Sequence, residues 1–171
     1  MTPRERRLVS DLQQMAELAG RDEFDFRCEG SPPERYEVMF SVAGLARSGT
    51  GQLVVRRLHR CALYLHLDYP RRPPVVSWLT PVFHPNLLPP QRNGGVCIGR
   101  WSAAESLADL CIRLRDLVSY RSLNAHDALD AEAGVWALEH DVRPGTDPEV
   151  LAQLSVGGEI PVAVIAAGQE P

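Results

Sequence analysis

The chain has no long hydrophobic run, no apolar stretch behind its N-terminus and no paired-cysteine motif. The first absence excludes a membrane-spanning helix, which needs about 20 consecutive apolar residues. The second argues against a secretory signal, because residues 1–12 (MTPRERRLVSDL) carry charge but no apolar core. The third bears on metals and crosslinks. Cys28, Cys61, Cys97 and Cys111 show no CxxC pair and no regular spacing, so neither a zinc site nor a disulfide scaffold is expected. Excess positive charge is also missing: the net charge of −4 at pH 7 gives no global signal for nucleic acid. Repeats and low-complexity tracts are absent. These absences predict a soluble, cytoplasmic protein in a reducing setting. Its 171 residues suit one domain with a single core and an added tail.

Residues 2–20 read as a helix, with Thr2 as cap, Pro3 at the first helical position, Glu5 completing a capping box and Gly20 as the stop. Leu8, Leu12, Met15 and Ala19 share one face. Residues 22–68 then change period. FDFRC, RYEVMFSVAG, GQLVVRRL and CALYLHL predict consecutive strands of an antiparallel meander. A second capping box, Ser102 with Glu105, opens a helix whose stripe is Leu107, Leu110, Cys111, Leu114, Leu117 and Val118. A further helix over residues 125–140 is expected to bury Leu129, Ala133 and Trp136. DVRPGTDPE after His140 reads as a linker. Residues 159–168 (EIPVAVIAAG) fit an extra strand, a partner-binding segment or a loose tail. The order predicts an α+β domain, residues 1–140, with helices on one side of an antiparallel sheet. Residues 141–171 form a C-terminal extension of unassigned role.

Between strands and helices lies the segment 68–101, which holds half of the chain's 14 prolines. No regular helix survives such a run, and a central strand would lose ladder donors, so a shaped, extended surface segment is expected. Its thiol stands apart from the other three. Cys111 falls in a helical apolar stripe and Cys61 in a strand-like run, both suited to core packing; at Cys28, near a strand end, the sequence decides little. Cys97 sits in NGGVCIGR, outside any period and flanked by glycines that permit close backbone approach.

The ordered set Tyr69, Pro70, Pro73, Pro74, His84, Pro85, Asn86, Gly95, Cys97, Trp101 and Ser102 resembles the core signature of ubiquitin-conjugating enzymes. SLNAHDALDAEAGVWALEH resembles that family's downstream region, so the likeness covers roughly residues 1–140. It implies the family's fold: an N-terminal helix, an antiparallel β-meander and C-terminal helices packed on one side. It also implies an acyltransferase without a cofactor. The Cys97 thiolate would take the C-terminal acyl group of a ubiquitin-like modifier from an activating enzyme, then yield it to a lysine of a protein substrate. Free cysteine, with pKa about 8.5, is a few per cent thiolate at neutral pH, which suffices for exchange between thioesters.

The same likeness assigns the surrounding residues. Asn86 would donate to the oxyanion or order the nearby loop. His84 resembles the family's loop-holding histidine rather than a base for Cys97. Pro85, Gly95, Trp101 and Asn124 belong to the site's scaffold. Asp127 matches an acidic position at the mouth of the site, where it would orient an incoming amine, with helix N-capping as the alternative. Arg4, Arg6 and Arg7 would dock an activating enzyme, or remain solvated surface charges.

Two departures stand out. Cys97 follows Asn86 by eleven positions, a longer loop than usual, and Trp101 follows Cys97 by only four. Arg71 and Ser102-Ala103-Ala104 replace a large apolar residue and a Ser-Pro-Ala, so a conventional RING-type ligase partner is not expected. The use of Arg and Ala over Lys resembles bacterial members, which occur in operons with a ubiquitin-like protein and are associated with antiphage defence. The rivals are a non-catalytic modifier-binding module on the same fold and a cysteine hydrolase using Cys97 with His84.

Overall fold

The structure, a computed structural model, describes residues 1–21 and 23–156. The element order is α1 (Pro3–Leu18), β1 (Phe24–Gly30), β2 (Pro33–Phe40), β3 (Gly44–Arg47), β4 (Leu53–Arg56), β5 (His59–Tyr64), β6 (Val75–Trp78), a 3-10 turn (Pro90–Arg92), α2 (Leu107–Val118), α3 (Ala131–Glu139) and α4 (Pro148–Leu151). Among the described residues no helix is long and apolar enough to cross a membrane.

The first helix starts as its sequence dictates. Thr2 Oγ1 accepts from Glu5 N, and Glu5 Oε2 accepts from Thr2 N. Leu8 and Met15 face the sheet and are buried. Among them sits Asp11, a fully buried carboxylate. Its cost is met by three donors: Arg7 Nε at 2.9 Å, Tyr69 Oη at 2.6 Å and Leu107 N at 3.0 Å.

The expected antiparallel sheet forms, with one difference in which strands belong to it. The main sheet runs β1-β2-β5-β6, all antiparallel, and β3 with β4 forms a separate ribbon. Phe40 pairs with His59 across β2 and β5, so the chain leaves the sheet after β2 and returns at β5. The ribbon departs because its apolar residues serve a second core. Leu45 and Leu53 pack with Phe83, Tyr120, Trp136 and Leu151, away from the main core between the sheet, α1 and α2. Gly44 allows the exit: a Cβ there would lie 2.5 Å from Val118 O.

The proline-rich segment is also not wholly a surface segment. Pro73 and Pro74 precede a true edge strand, β6, whose ladder residues Val75 to Trp78 contain no proline. From Val82 to Leu88 every residue is buried. Val82 and Leu87 belong to the first core and Phe83 to the second, so this stretch runs along the seam between them.

The helix starts differ by a few residues. Ser106 with Asp109, not Ser102 with Glu105, makes the capping box of α2. Residues 101–105 are held out of the helix, because Arg7 donates to the carbonyls of Ala103 and Glu105 and Trp101 Nε1 donates to Pro70 O. In α3, Ala133 and Trp136 are buried as expected, but Leu129 lies before the helix and is 41% exposed. The segment after His140 is not a bare linker. Gly145 N donates to Tyr120 O, Asp147 caps α4, and Leu151 fills the second core. Residues 159–168 lie outside the described residues.

Candidate active site

Two short stretches, 86–88 and 95–97, pair antiparallel. Cys97 N donates to Asn86 O at 3.0 Å, Leu88 N donates to Gly95 O at 2.8 Å, and Leu87 bridges Val96. The extra residues of the long loop form the tip of this hairpin, a 3-10 turn ending with Asn93 and Gly94 at positive φ. The tip docks on the sheet edge, where Gly94 O accepts from Trp78 N at 2.8 Å. A Cβ on Gly94 would lie 2.4 Å from Trp78 O, so this glycine, which the sequence reading passed over, is the demanding one. Gly95 is held differently, its N–H donating to Asn93 Oδ1 at 2.9 Å.

Cys97 is exposed on the hairpin, as is Cys28 at the far strand, while Cys61 and Cys111 are buried and burial pushes both thiols up. Cys97 shares a cleft of about 290 Å³ with Asn86, Leu123, Asn124, Asp127 and Arg113. A larger hollow, about 520 Å³, lies on the open sheet face around Arg27, Arg35 and Tyr64. The smaller cleft is the one that brings an exposed thiol together with an amide and a carboxylate.

His84 is fully buried. Its Nδ1 accepts from Asn86 N at 2.9 Å, and its Nε2, facing the Ser122 carbonyl at 3.2 Å, carries the proton. Burial pushes its pKa down to about 3, so it stays neutral, edge-on to Tyr120 at 4.6 Å. Both nitrogens are spent on structure.

Asn86 is buried beside it. Oδ1 accepts from Asn124 N at 2.8 Å; Nδ2 donates to Asn124 O at 3.0 Å and to Asp127 O at 3.2 Å. One donor facing Oδ1 and two carbonyls facing Nδ2 fix the amide's orientation. Asn124 Oδ1 in turn accepts from Asp127 N. Asp127 is exposed at the cleft mouth. It does not cap α3; Asp130 does, accepting from Glu132 N and Ala133 N. Pro85 joins the same frame, its carbonyl accepting from Asp130 N at 2.9 Å.

Trp101 is half-buried, 6.0 Å from the Tyr69 ring. Of the three N-terminal arginines, Arg7 is consumed by Asp11, Tyr69 and two carbonyls, and Arg4 by Glu34 and Leu65 O. Arg6 is exposed and donates to Met1 O. The sequence reading missed Asp11, Asp130, Arg92 and Gly94. Only Gly94 gave a signal, as half of a glycine pair.

Comparison with known proteins bears on the family and the fold. Ubiquitin-conjugating enzyme E2 S of Drosophila melanogaster is 27% identical over 121 residues, covering 65% of this chain and 56% of that protein. The protein of the same name from Branchiostoma floridae is 35% identical over 81 residues, 45% of this chain and 36% of that one. The chain thus spans little more than half the length of the first of these curated relatives. Among solved structures, Saccharomyces cerevisiae Ubc12 superposes with a TM-score of 0.60 at 24% identity, covering 81% of this chain and 70% of that one. The E2 domain of a Toxoplasma gondii ubiquitin conjugating enzyme gives 0.57 at 19% identity, covering 80% and 88%. These likenesses establish the shared fold. The sequence model of the family Ubiquitin-conjugating enzyme matches residues 36–143, from β2 through the Cys97 hairpin and past α3, and on that match the chain belongs to the ubiquitin-conjugating enzyme family.

Proposed function

We propose that the chain carries the C-terminus of a ubiquitin-like modifier as a thioester on Cys97 and transfers it to an amine of a protein substrate. One observation carries this: Cys97 is exposed on a stiff hairpin and opens into a cleft shared with Asn86 and Asp127. In the first step Cys97 Sγ attacks the carbonyl of the modifier bound to an activating enzyme, and that enzyme's thiolate leaves. In the second an amine attacks the Cys97 thioester, an amide forms, and the Cys97 thiol is restored. A lysine with pKa about 10.4 is protonated in neutral water, so the site must help it shed a proton. Asp127, exposed at the cleft mouth and free of a capping duty, suits that role.

For Asn86 the geometry favours loop ordering. Both hydrogens of its amide are engaged by backbone carbonyls, which leaves none for an oxyanion in this arrangement. The hydrolase reading finds no support in His84, whose nitrogens are engaged elsewhere and whose ring is buried. A non-catalytic module would have no use for an exposed thiol in this slot.

The remaining partners follow the same reading. Arg6 is the N-terminal arginine left to meet an activating enzyme. Arg71, exposed where a large apolar residue serves RING-type ligases, argues for a route without one. Exposed cysteines suit a reducing cytoplasm. The Arg-rich composition supports a bacterial operon setting with a role in antiphage defence.

The deciding experiment mixes the chain with an activating enzyme, its modifier and ATP, then compares gels run with and without reductant. A reductant-labile adduct is expected, abolished by Cys97→Ala and kept by Cys28→Ala. An adduct that survives Cys97→Ala would end the reading.

A further inference from the structure

The lengthened loop before Cys97 has no part in the scheme above, yet it is bonded on two sides. Its Gly94 is fixed to Trp78 in β6. On the other side Arg92 Nη1 lies 3.0 Å from Asp130 Oδ2. Asp130 is the buried partner and has further duties: Oδ1 caps α3, and its N–H donates to Pro85 O at 2.9 Å. Leu129, next to it, lies 3.5 Å from where a Gly95 Cβ would stand. Asp130 comes only three residues after Asp127. The ion pair therefore joins the hairpin that bears the thiol to the segment that bears the cleft's carboxylate.

We infer that the Arg92–Asp130 pair sets the spacing of Cys97 and Asp127 across the cleft, and that Arg92 is a positioning residue for amine transfer. This rests on the conjugating reading. Exposed ion pairs are usually weak, but here one partner is buried and bonded to two other elements. Removing the guanidinium leaves Asp130 its capping bonds, so α3 stays formed while the link across the cleft is lost. Acyl transfer is sensitive to such loosening, since a misplacement of about 1 Å can cost about a hundredfold in rate.

The test needs no activating enzyme. A short peptide ending in Gly-Gly, supplied as its 2-mercaptoethanesulfonate thioester, exchanges onto Cys97. The acyl–sulfur bond to Cys97 forms as the bond to the small thiol breaks, and that thiol carries the proton away. After removal of reagent, the loaded protein is discharged to free lysine and, separately, to hydroxylamine, a neutral nucleophile. Arg92→Ala is expected to load like the wild type, discharge to lysine about five- to tenfold more slowly, and discharge to hydroxylamine within about twofold. Arg92→Lys, which keeps the charge, is expected to recover most of the loss. Amide hydrogen exchange at Asp127 and Asp130 is expected to quicken in Arg92→Ala and not in Arg92→Lys. Wild-type discharge to lysine by Arg92→Ala would overturn the inference. So would an equal loss toward both nucleophiles, or an Arg92→Lys variant no better than alanine. A wild type that takes up no acyl group on Cys97 would instead remove the conjugating reading, and the exchange comparison would still report on the tether.

Discussion

The side chain of Asn86 holds Asn124 from both sides, accepting its N–H at 2.8 Å and donating to its carbonyl at 3.0 Å. With the bond to Asp127 O, this buried amide fastens the segment that faces Cys97. Asn86→Ala should therefore lower stability by about 1–3 kcal/mol, because a buried side chain loses three hydrogen bonds to the backbone. Amide exchange at Asn124 should quicken by a matching factor. Asn86→Asp should not restore the native value, because an ionised carboxylate cannot donate to two carbonyls. If Asn86→Ala melts like the wild type and only the chemistry slows, loop ordering is the wrong account and oxyanion donation the better one.

Two aspartates three residues apart should separate cleanly. Asp127 is exposed and lines the cleft; Asp130 is buried and caps α3. Asp127→Ala should leave the thermal midpoint unchanged and slow discharge to lysine, while sparing discharge to hydroxylamine. Asp130→Ala should destabilise by about 0.5–2 kcal/mol through the lost cap alone. Thermal melts and single-turnover discharge on the same two proteins check both statements. The assignment fails if the two variants exchange effects.

This pair also shows what was legible from sequence. Cys97 could be read because glycines, a broken period and an ordered set of landmarks converge on it. His84 could be read as loop-holding because it stands in His-Pro-Asn, and its buried ring faces backbone groups on both sides. Which aspartate caps α3 was not legible, since Asp127 and Asp130 offer the same chemistry and only the helix start distinguishes them. Asp11 left no trace either: a charged residue at a helical position looks solvated until Tyr69 and Leu107 arrive from distant segments. The β3–β4 ribbon read as meander because strand patterning records which residues are apolar, not which core they fill. The Ser102 capping box fitted its spacing as well as Ser106 did; Arg7, 95 positions before Ser102, helped to decide between them.

Acid should weaken the fold through two histidines. Burial lowers His84 to about 3 and His59 to about 4, against about 6.5 for the unfolded chain. Below pH 6.5 the unfolded state binds protons that the folded state refuses. The contribution is thus intact above that value and is lost as pH falls toward 4 and then 3. Between pH 7 and pH 5 the loss should be about 2 kcal/mol per histidine, since each pH unit below 6.5 costs about 1.4 kcal/mol. Urea midpoints at the two pH values measure it. His59→Gln should shrink the difference by roughly half, and an undiminished difference would show that His59 titrates normally in the fold.

The chain's 18 basic residues are all arginine, so no side-chain amine stands anywhere on it. Guanidinium groups remain protonated at neutral pH and do not attack acyl groups. A thioester carried on Cys97 would therefore meet no internal lysine, and the loaded chain should be protected from side-chain modification by its own cargo. Arg100 is the informative position, being exposed and three residues from Cys97. Loaded wild-type protein should carry no side-chain adduct that resists reductant. Arg100→Lys should accumulate an adduct that resists reductant, mapped by peptide mass spectrometry to residue 100. Equal reductant-resistant side-chain modification in both proteins would mean that some other nucleophile on the chain intercepts the thioester, and the absence of lysine would then protect nothing.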